Sequence, residues 1–391
     1  MSENKTPKEM LEYRIKLFRD AQSFKKPDRT PVCANVTSWM FNDAGYSAGT
    51  ACRDYKIIEE CMERFLKLYP CDMFNYTMSG FRNVFLLPDA MGGSIYSESD
   101  DGDSLNIVAE DYIHPEEYDD LFENYQKALW EKVMFRMFPK VKDYTPQQLA
   151  EAAKTEFVFQ QETTRINQRM RDEFGIPVEM NINHIVQPLE NLLGNHRGIK
   201  GLSMDMRRRP DKILKFVEVC GKGGRMFYEK KIKEFDGPDM NEAYDCMSGI
   251  LAHTIMNCKQ FDLFKAPYLE ESFRLAEEYH KQVVMFSEGD WARFGDFFNQ
   301  FRRGTLNMTV EQDDPFEVRK KYPNICITGG LDVSVLRSGT EQQCIDMAKR
   351  AIDELGWEGG LILSPNKMLA YPNDTTSGNL RAVFEFAAEY R

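Results

Sequence analysis

The sequence lacks the features that mark several classes of protein. Only five of its 391 residues are histidine, and its nine cysteines are scattered with no Cys-x-x-Cys pair. Reduced and mostly buried thiols are therefore expected, not a disulfide framework. No apolar stretch approaches the length of a membrane span, and the charged N-terminus has no apolar core typical of a signal peptide. We expect a soluble, cytoplasmic protein with no membrane partner.

The sequence also has fewer positively charged than negatively charged residues. The chain has 50 Lys and Arg against 62 Asp and Glu, a formal net charge of -12, and the basic residues are interspersed with acidic ones. A surface that neutralises a phosphate backbone is not expected, which argues against a nucleic-acid partner. No Gly-x-Gly-x-x-Gly motif follows the first predicted strand, which disfavours a dinucleotide-binding fold.

Short apolar runs alternate with helical patterns along the chain. The first run, 29–36, follows a Pro/Asp turn, and residues 54–69 place apolar side chains at helical spacing before strand character resumes at 71–76. Further strands are predicted at 177–183, 281–286, 305–310, 325–328 and 360–363. Between them, 115–174 is long, charged and helical, which predicts an inserted helical segment. The alternation indicates a parallel sheet, either an open doubly wound sheet or a closed barrel.

Several strings in a fixed order point to a family. They are 321–332 with Gly-Gly-Leu-Asp at its end, 335–341 with Ser-Gly-Thr-Glu, 359–365 with Gly-Gly-Leu-Ile-Leu-Ser-Pro, 201–212 with Asp-Met-Arg-Arg-Arg-Pro-Asp-Lys, and 285–290. Their order and spacing resemble the uroporphyrinogen decarboxylase superfamily from about residue 25 to the C-terminus. The resemblance implies a single (β/α)8 TIM-barrel domain over 1–391, with an N-terminal helix and the helical insertion at about 115–174.

The chain departs from the true decarboxylases of this superfamily. They carry an Arg-Gln-Ala-Gly-Arg stretch after the first strand, whereas residues 35–46 here contain no arginine to hold a carboxylate-rich substrate. The true decarboxylases also carry a histidine after the last strand, and residues 364–371 of this chain contain none. The chain instead resembles the corrinoid-dependent methyltransferases, specifically the O-demethylase type. That branch implies a small methylated donor, such as an aromatic methyl ether, and a partner corrinoid protein that carries the cobalamin.

Members of that branch commonly use zinc. Here the usual His-x-Cys ligands are replaced by Phe286 and Glu288, so a zinc site of that design is not expected. His184 and Glu288 remain the metal-ligand candidates if zinc is bound at all. A homodimer is left open.

Polar residues that directly follow predicted strands are the candidates for the site, because barrel enzymes place their chemistry at the carboxyl ends of strands. The predicted catalytic residues are His184, Glu288, Asp290 and Glu311, and the predicted substrate-binding residues are Asn75, Tyr76, Asn183 and Asn366.

Each candidate has a plainer structural alternative. His184 could be a core histidine, Asp290 a helix N-cap, Glu311 part of a surface loop and Asp332 the cap of the next helix. His253 is expected at a buried helix position. Two rival functions also stay open at this point: decarboxylation of a smaller acid held by Arg82 or 207–209, and a non-catalytic barrel that binds a corrinoid or tetrapyrrole.

Overall fold

Short parallel strands alternate with helices along most of the chain. The computed structural model describes residues 5–74, 82–93, 96–103, 105–107, 110–178, 183–234 and 236–391. The strands in these ranges are β1 (Cys33–Ala34), β2 (Met73–Phe74), β3 (Tyr96–Glu98), β4 (Leu105–Ile107), β5 (Asn183–His184), β6 (Cys246–Ile250), β7 (Val283–Ser287), β8 (Leu306–Thr309), β9 (Cys326–Leu331) and β10 (Leu361–Pro365). β3 and β4 form an antiparallel hairpin, and the other strands pair in parallel.

The parallel strands form a (β/α)8 barrel. β5 to β10 lie side by side in chain order in one sheet, and β1 pairs with β2. A parallel bridge between Val32 and Leu363 joins the first strand to the last. The barrel fold expected from the sequence is therefore confirmed.

Helices connect the strands. The α-helices in the described ranges are α1 (Pro7–Gln22), α2 (Trp39–Asp43), α3 (Ala48–Cys52), α4 (Tyr55–Leu68), α5 (Arg82–Met91), α6 (Tyr118–Glu123), α7 (Tyr125–Ala128), α8 (Phe135–Met137), α9 (Pro146–Phe174), α10 (Pro188–Asn191), α11 (Gly198–Arg208), α12 (Pro210–Ile232), α13 (Cys258–Gln260), α14 (Ala266–Glu278), α15 (Pro315–Lys321), α16 (Val333–Ser338), α17 (Glu341–Ala351) and α18 (Ser377–Glu389). Short 3₁₀ segments lie at Pro115–Glu117, Pro139–Asp143, Ala252–Ile255 and Phe297–Gln300, and π-helical segments at Leu129–Met134, Leu192–Arg197, Phe261–Lys265 and Ile352–Gly356.

The longest helix, α9, begins and ends where its sequence predicts. The Thr145 side chain accepts a hydrogen bond from the Gln148 backbone N–H, and the Gln148 side chain accepts one from the Thr145 N–H in return. This capping box satisfies two backbone groups at the helix start. At the other end Gly175 adopts φ 60°, a left-handed conformation that costs glycine little. The helix ends at Phe174, the predicted end of the helical segment.

Residues along each barrel strand alternate between two cores. The outward-facing side chains of β8 and its next residue, Leu306, Met308 and Val310, belong to the large core shared with the surrounding helices. The other face of the strands lines the barrel interior, where side chains from different strands form a separate apolar cluster against α1. This cluster, which we call the floor, contains Phe18, Ala21, Cys33, Met73, Met247, Val284, Cys326 and Ile362.

α1 closes the barrel at the amino ends of the strands. The backbone carbonyl of Ala21 accepts a hydrogen bond from the Gly360 N–H, just before β10. The Gln22 side chain donates to the carbonyls of Thr305 and Val283, at 3.3 and 3.5 Å, near the starts of β8 and β7. The opposite end, at the carboxyl ends of the strands, is therefore the open one.

A buried ion pair fastens the first two strands to each other. Asp72, just before β2, accepts two hydrogen bonds of 2.6 Å from Arg29, and it also accepts the Val32 N–H at 2.9 Å. Burial alone would raise the pKa of Asp72, but the charge and hydrogen bonds of Arg29 outweigh burial, and the net pKa lies below its ordinary value.

The lowered pKa of Asp72 predicts an acid dependence of stability. A carboxyl group whose pKa is lower in the folded than in the unfolded state stabilises the fold above its unfolded pKa of about 3.9. This contribution is lost as the pH falls from that value through the folded pKa. The free energy of unfolding of Asp72→Asn should therefore fall furthest below wild type near neutral pH, with the gap narrowing below pH ~4. Urea unfolding across this range measures it, and a gap that widens in acid would contradict it.

Within the described ranges, no helix combines the length and the apolar character needed to cross a bilayer.

Candidate functional site

Two carboxylates follow neighbouring strands at the open end of the barrel. Glu288 comes directly after β7, and Glu311 lies two residues after β8. Both lie on the interior face: Glu288 is four residues beyond Val284 of the floor, and Glu311 is four beyond Asn307, which pairs with Val284. The structure thus brings these two predicted site residues together at the barrel mouth.

A hydrogen bond holds the two strand ends in register. The Gly289 N–H donates to Glu311 Oε2 at 2.5 Å, and the Gln312 N–H donates back to the Gly289 carbonyl at 3.3 Å. Gly289 has φ +72°, and a Cβ at this position would lie 2.8 Å from Thr254 Cγ2. Only glycine fits this turn without a shift of its neighbours.

The surroundings of Glu288 favour its protonated form. Partial burial raises the pKa of Glu288, and the nearby Glu311 carboxylate raises it further. The residue is nevertheless exposed to solvent. Glu288 can therefore hold a proton at a higher pH than an ordinary glutamate, and can exchange it with water.

Asn366 supports this arrangement from the last strand. Its side-chain amide donates to the Glu311 carbonyl at 3.0 Å, and its Oδ1 accepts the Val333 N–H at 3.0 Å. The side chain thus ties together the ends of β8, β9 and β10. Asn366, predicted to bind substrate, is placed to position Glu311.

A buried histidine lies behind the two carboxylates. His253, just after β6, is completely buried and stacks on Trp291, with ring centroids 3.8 Å apart and planes 12° apart. Burial lowers the pKa of His253 to about 3, and the charges of Lys265 and Arg293 act in the same direction. The imidazole is therefore neutral, and it packs as an aromatic ring.

A buried lysine fixes the end of β6. Lys265 Nζ donates to both carboxylate oxygens of Glu190, at 2.7 and 2.6 Å, and to Gln187 Oε1 at 2.9 Å. Glu190 in turn accepts the N–H groups of Leu251 and Ala252, at 3.1 and 3.0 Å. Burial lowers the pKa of Lys265, while Glu190 opposes that change. No pattern in the sequence predicted this network, because Lys265 lies far along the chain from Gln187 and Glu190.

Asp290 is not the helix cap that its sequence position suggested. The N–H groups of Trp291 and Ala292 are both accepted by Asp313, at 2.5 and 3.1 Å. Asp290 instead pairs with Arg293 at 3.0 Å. The capping alternative for Asp332 is confirmed, since its side chain accepts the Ser334 N–H at 2.7 Å.

His184 and Asn183 line a different cavity from the one expected. The cavity holds about 530 Å³, and it also includes Asp245 and Lys281, which precede β6 and β7. His184 pairs with Met247, and Met247 pairs with Val284, four residues before Glu288. These four residues span roughly 13 Å along the strand, at ~3.3 Å per residue. The structure does not bring His184 to the mouth beside Glu288.

Among the remaining candidates, Asn75 and Tyr76 lie outside the described residues. Of the arginines considered for a carboxylate site, Arg209 pairs with Asp205 at the end of α11. Among the described side chains, no group of three or more His, Cys, Asp or Glu comes together as a metal site.

The cysteines largely follow expectation. Cys71 and Cys326 are buried, and burial raises the pKa of both thiols to about 12. Cys258 is exposed. Buried thiols with such high pKa values stay protonated, so they are poor nucleophiles and poor metal ligands.

Comparisons with known proteins agree with the barrel. A solved structure of a methyltransferase from Methanosarcina mazei matches with a TM-score of 0.61 at 13% identity, over 96% of this chain and 98% of that one. At this identity the likeness establishes the fold. No curated protein matches the sequence significantly. The sequence profile of the family described as uroporphyrinogen decarboxylase (URO-D) matches residues 189–390, more than half of the chain. The chain therefore belongs to the uroporphyrinogen decarboxylase family.

Proposed function

We propose that this protein transfers a methyl group from a small methylated donor, such as an aromatic methyl ether, to the cobalt of a separate corrinoid protein. The observation that carries the proposal is the Glu288 carboxyl group at the barrel mouth, with its pKa raised by burial and by Glu311. Membership of the uroporphyrinogen decarboxylase family supports an enzyme, and the methyltransferase with the same fold supports this branch.

The residues of the mouth supply acid catalysis in this proposal. When the bond between the methyl carbon and the donor oxygen breaks, the electron pair stays on the oxygen. A proton from the Glu288 carboxyl group neutralises that oxygen, which makes it a better leaving group. Glu288 then takes a new proton from solvent, to which it stays open. Glu311, held by Gly289 and supported by Asn366, fixes the turn that carries Glu288 and keeps its pKa high.

In this proposal the corrinoid is carried on another protein and would approach the barrel mouth. When bound, the corrinoid supplies the nucleophile that accepts the methyl group. Gly249 of β6 is exposed, and a Cβ at this position would meet no atom of the described residues within 4 Å. Zinc fits less well, because Glu288 and Glu311 do not form the group of nitrogen and sulfur ligands that zinc prefers. We therefore assign no step to zinc.

Methyl transfer itself is the direct test. The purified protein, mixed with a reduced corrinoid protein and a panel of methyl ethers, should change the cobalt absorbance with at least one donor. Failure with every donor would contradict the proposal. Turnover of a tetrapyrrole carboxylate instead would favour the decarboxylase alternative, and corrinoid binding without turnover would favour the non-catalytic one.

Removing the charge of Glu311 should shift the pH profile of the reaction. Wild-type activity is expected to fall as the pH rises through the raised pKa of Glu288, because only the protonated form donates. Glu311→Gln keeps an acceptor for the Gly289 N–H but removes the negative charge that raises this pKa. The falling limb of kcat against pH should therefore move to lower pH. A limb that stays in place would show that Glu311 does not set the pKa of the catalytic acid.

A further inference from the structure

Uncharged polar side chains lie inside the barrel, at the level of the floor and in the layer above it, below the two carboxylates. Asn307 pairs in register with Val284 and with Cys326, both of which belong to the floor cluster. Thr309 lies two residues further along β8, so its side chain is on the same interior face as that of Asn307. Thr309 pairs with Thr328. Asn35, the residue after β1, follows Cys33 of the floor by two residues. All four polar residues are buried.

Three of these side chains have polar atoms without partners. Among the described residues, nothing bonds to Asn307 Nδ2, Thr309 Oγ1 or Asn35 Oδ1. The Thr328 hydroxyl donates to Asn307 Oδ1 at 2.7 Å, which turns the amide so that its N–H₂ group is left over. Buried polar groups are nearly always hydrogen-bonded in folded proteins, and leaving one unpaired costs free energy. These atoms point to a missing partner.

Among the described residues, space lies beside Gly249, two strands away from Thr309. Met285 pairs with Met308, so Phe286 and Thr309 are the next residues along the two strands. Phe286 also pairs with Gly249, where an added Cβ would meet no atom of the described residues within 4 Å. Thr309 thus lies near the level of Gly249, two residues below Glu311.

We propose that Asn35, Asn307 and Thr309 bind the part of the methyl donor that does not react, and that this part is an uncharged hydrogen-bonding group such as a hydroxyl or carbonyl. The inference rests on the proposed function. The amide N–H₂ donates to an oxygen, Asn35 Oδ1 accepts from a hydroxyl, and Thr309 does either. None of the three carries charge, so a carboxylate placed here would lose its hydration without gaining a cation. The set therefore selects neutral oxygen-bearing donors over anionic ones.

Binding to the protein alone tests this without any methyl transfer. Calorimetry would compare three neutral ethers, 2-methoxyphenol, 4-methoxyphenol and 2-methoxyethanol, with anionic 2-methoxybenzoate and with methoxybenzene, which has no second polar group. We expect at least one neutral, hydrogen-bonding ether to bind about tenfold more tightly than both reference compounds. Thr309→Val should weaken that binding about tenfold, whereas Thr309→Ser, which keeps the hydroxyl, should not. Thr305→Val, at the residue just before the same strand, is the matched control.

The thermal midpoint separates a binding role from a structural one. If Thr309 serves a ligand, Thr309→Val should fold at least as stably as wild type, because it removes an unpaired buried hydroxyl. Unchanged ether binding by this variant would overturn the inference, and so would tighter binding of the benzoate or no binding of any neutral ether. Neutral ethers that bind as expected but never transfer a methyl group would instead overturn the proposed function alone.

Discussion

Glu288→Gln should lower the rate of methyl transfer about 10²- to 10⁴-fold, the usual contribution of a general acid. Glutamine fills the same space and keeps polar atoms at the mouth, but it has no acidic proton to give to the leaving oxygen. The loss should appear in kcat, and the fall of activity with rising pH should disappear along with it. Single-turnover absorbance measurements on the corrinoid protein, repeated across the pH range, would measure both.

The control for this experiment is Glu317→Gln. Glu317 lies on α15, is exposed, and pairs with Lys320 at 2.6 Å. It should leave the rate and its pH dependence unchanged. If Glu288→Gln kept the wild-type rate with an ether donor, Glu288 could not be the acid. If the rate fell but the pH dependence stayed, another group would be the one that titrates.

Arg19→Met should destabilise the fold by about 3–5 kcal/mol, the typical cost of breaking a buried ion pair from one side. Arg19 and Asp245 are both nearly inaccessible to solvent and form two hydrogen bonds, at 2.7 and 3.1 Å. Arg19 also donates to the carbonyls of Glu242 and Asp239. Methionine preserves the apolar stem of the side chain but leaves the Asp245 carboxylate buried without its cation. Denaturant unfolding would measure the loss.

The double variant Arg19→Met with Asp245→Leu tests whether the loss of stability comes from the unpaired charge. Removing both charges leaves no unpaired ion, so the double variant should be more stable than the sum of the two single changes predicts. Strict additivity would mean that the two residues act independently, contrary to the contact between them.

Patterns local in sequence predicted the fold well. The helix at 54–69 and the strands at 281–286, 305–310, 325–328 and 360–363 were visible because each has its own periodicity or apolar run, and each overlaps an observed element. β6, Cys246–Ile250, was not predicted. It contains serine and glycine and only one β-branched residue, so its burial comes from its neighbours and not from its own composition.

The site was predicted only in part, for a similar reason. Glu288 and Glu311 could be found because each follows a recognisable strand. The position of each strand along the barrel axis depends on how it pairs with its neighbours. The sequence of a single strand does not reveal that pairing. It is this difference in position that separates His184 from Glu288. The cap on Trp291 likewise comes from Asp313 on the next strand–helix unit, although Asp290 is adjacent in sequence. His253 and Lys265 acquire their roles only from residues distant along the chain.

The bridge between Val32 and Leu363 has a consequence for how the protein is made. The ribosome synthesises the first barrel strand long before the last one, which must pair with it. At about 5–20 residues per second, some 17 to 66 s separate the two. Throughout that interval β1 has an unpaired edge, and such edges invite association with other chains. A nascent chain truncated before residue 361 would keep that edge permanently, so premature termination should yield aggregates and not a partly active fragment.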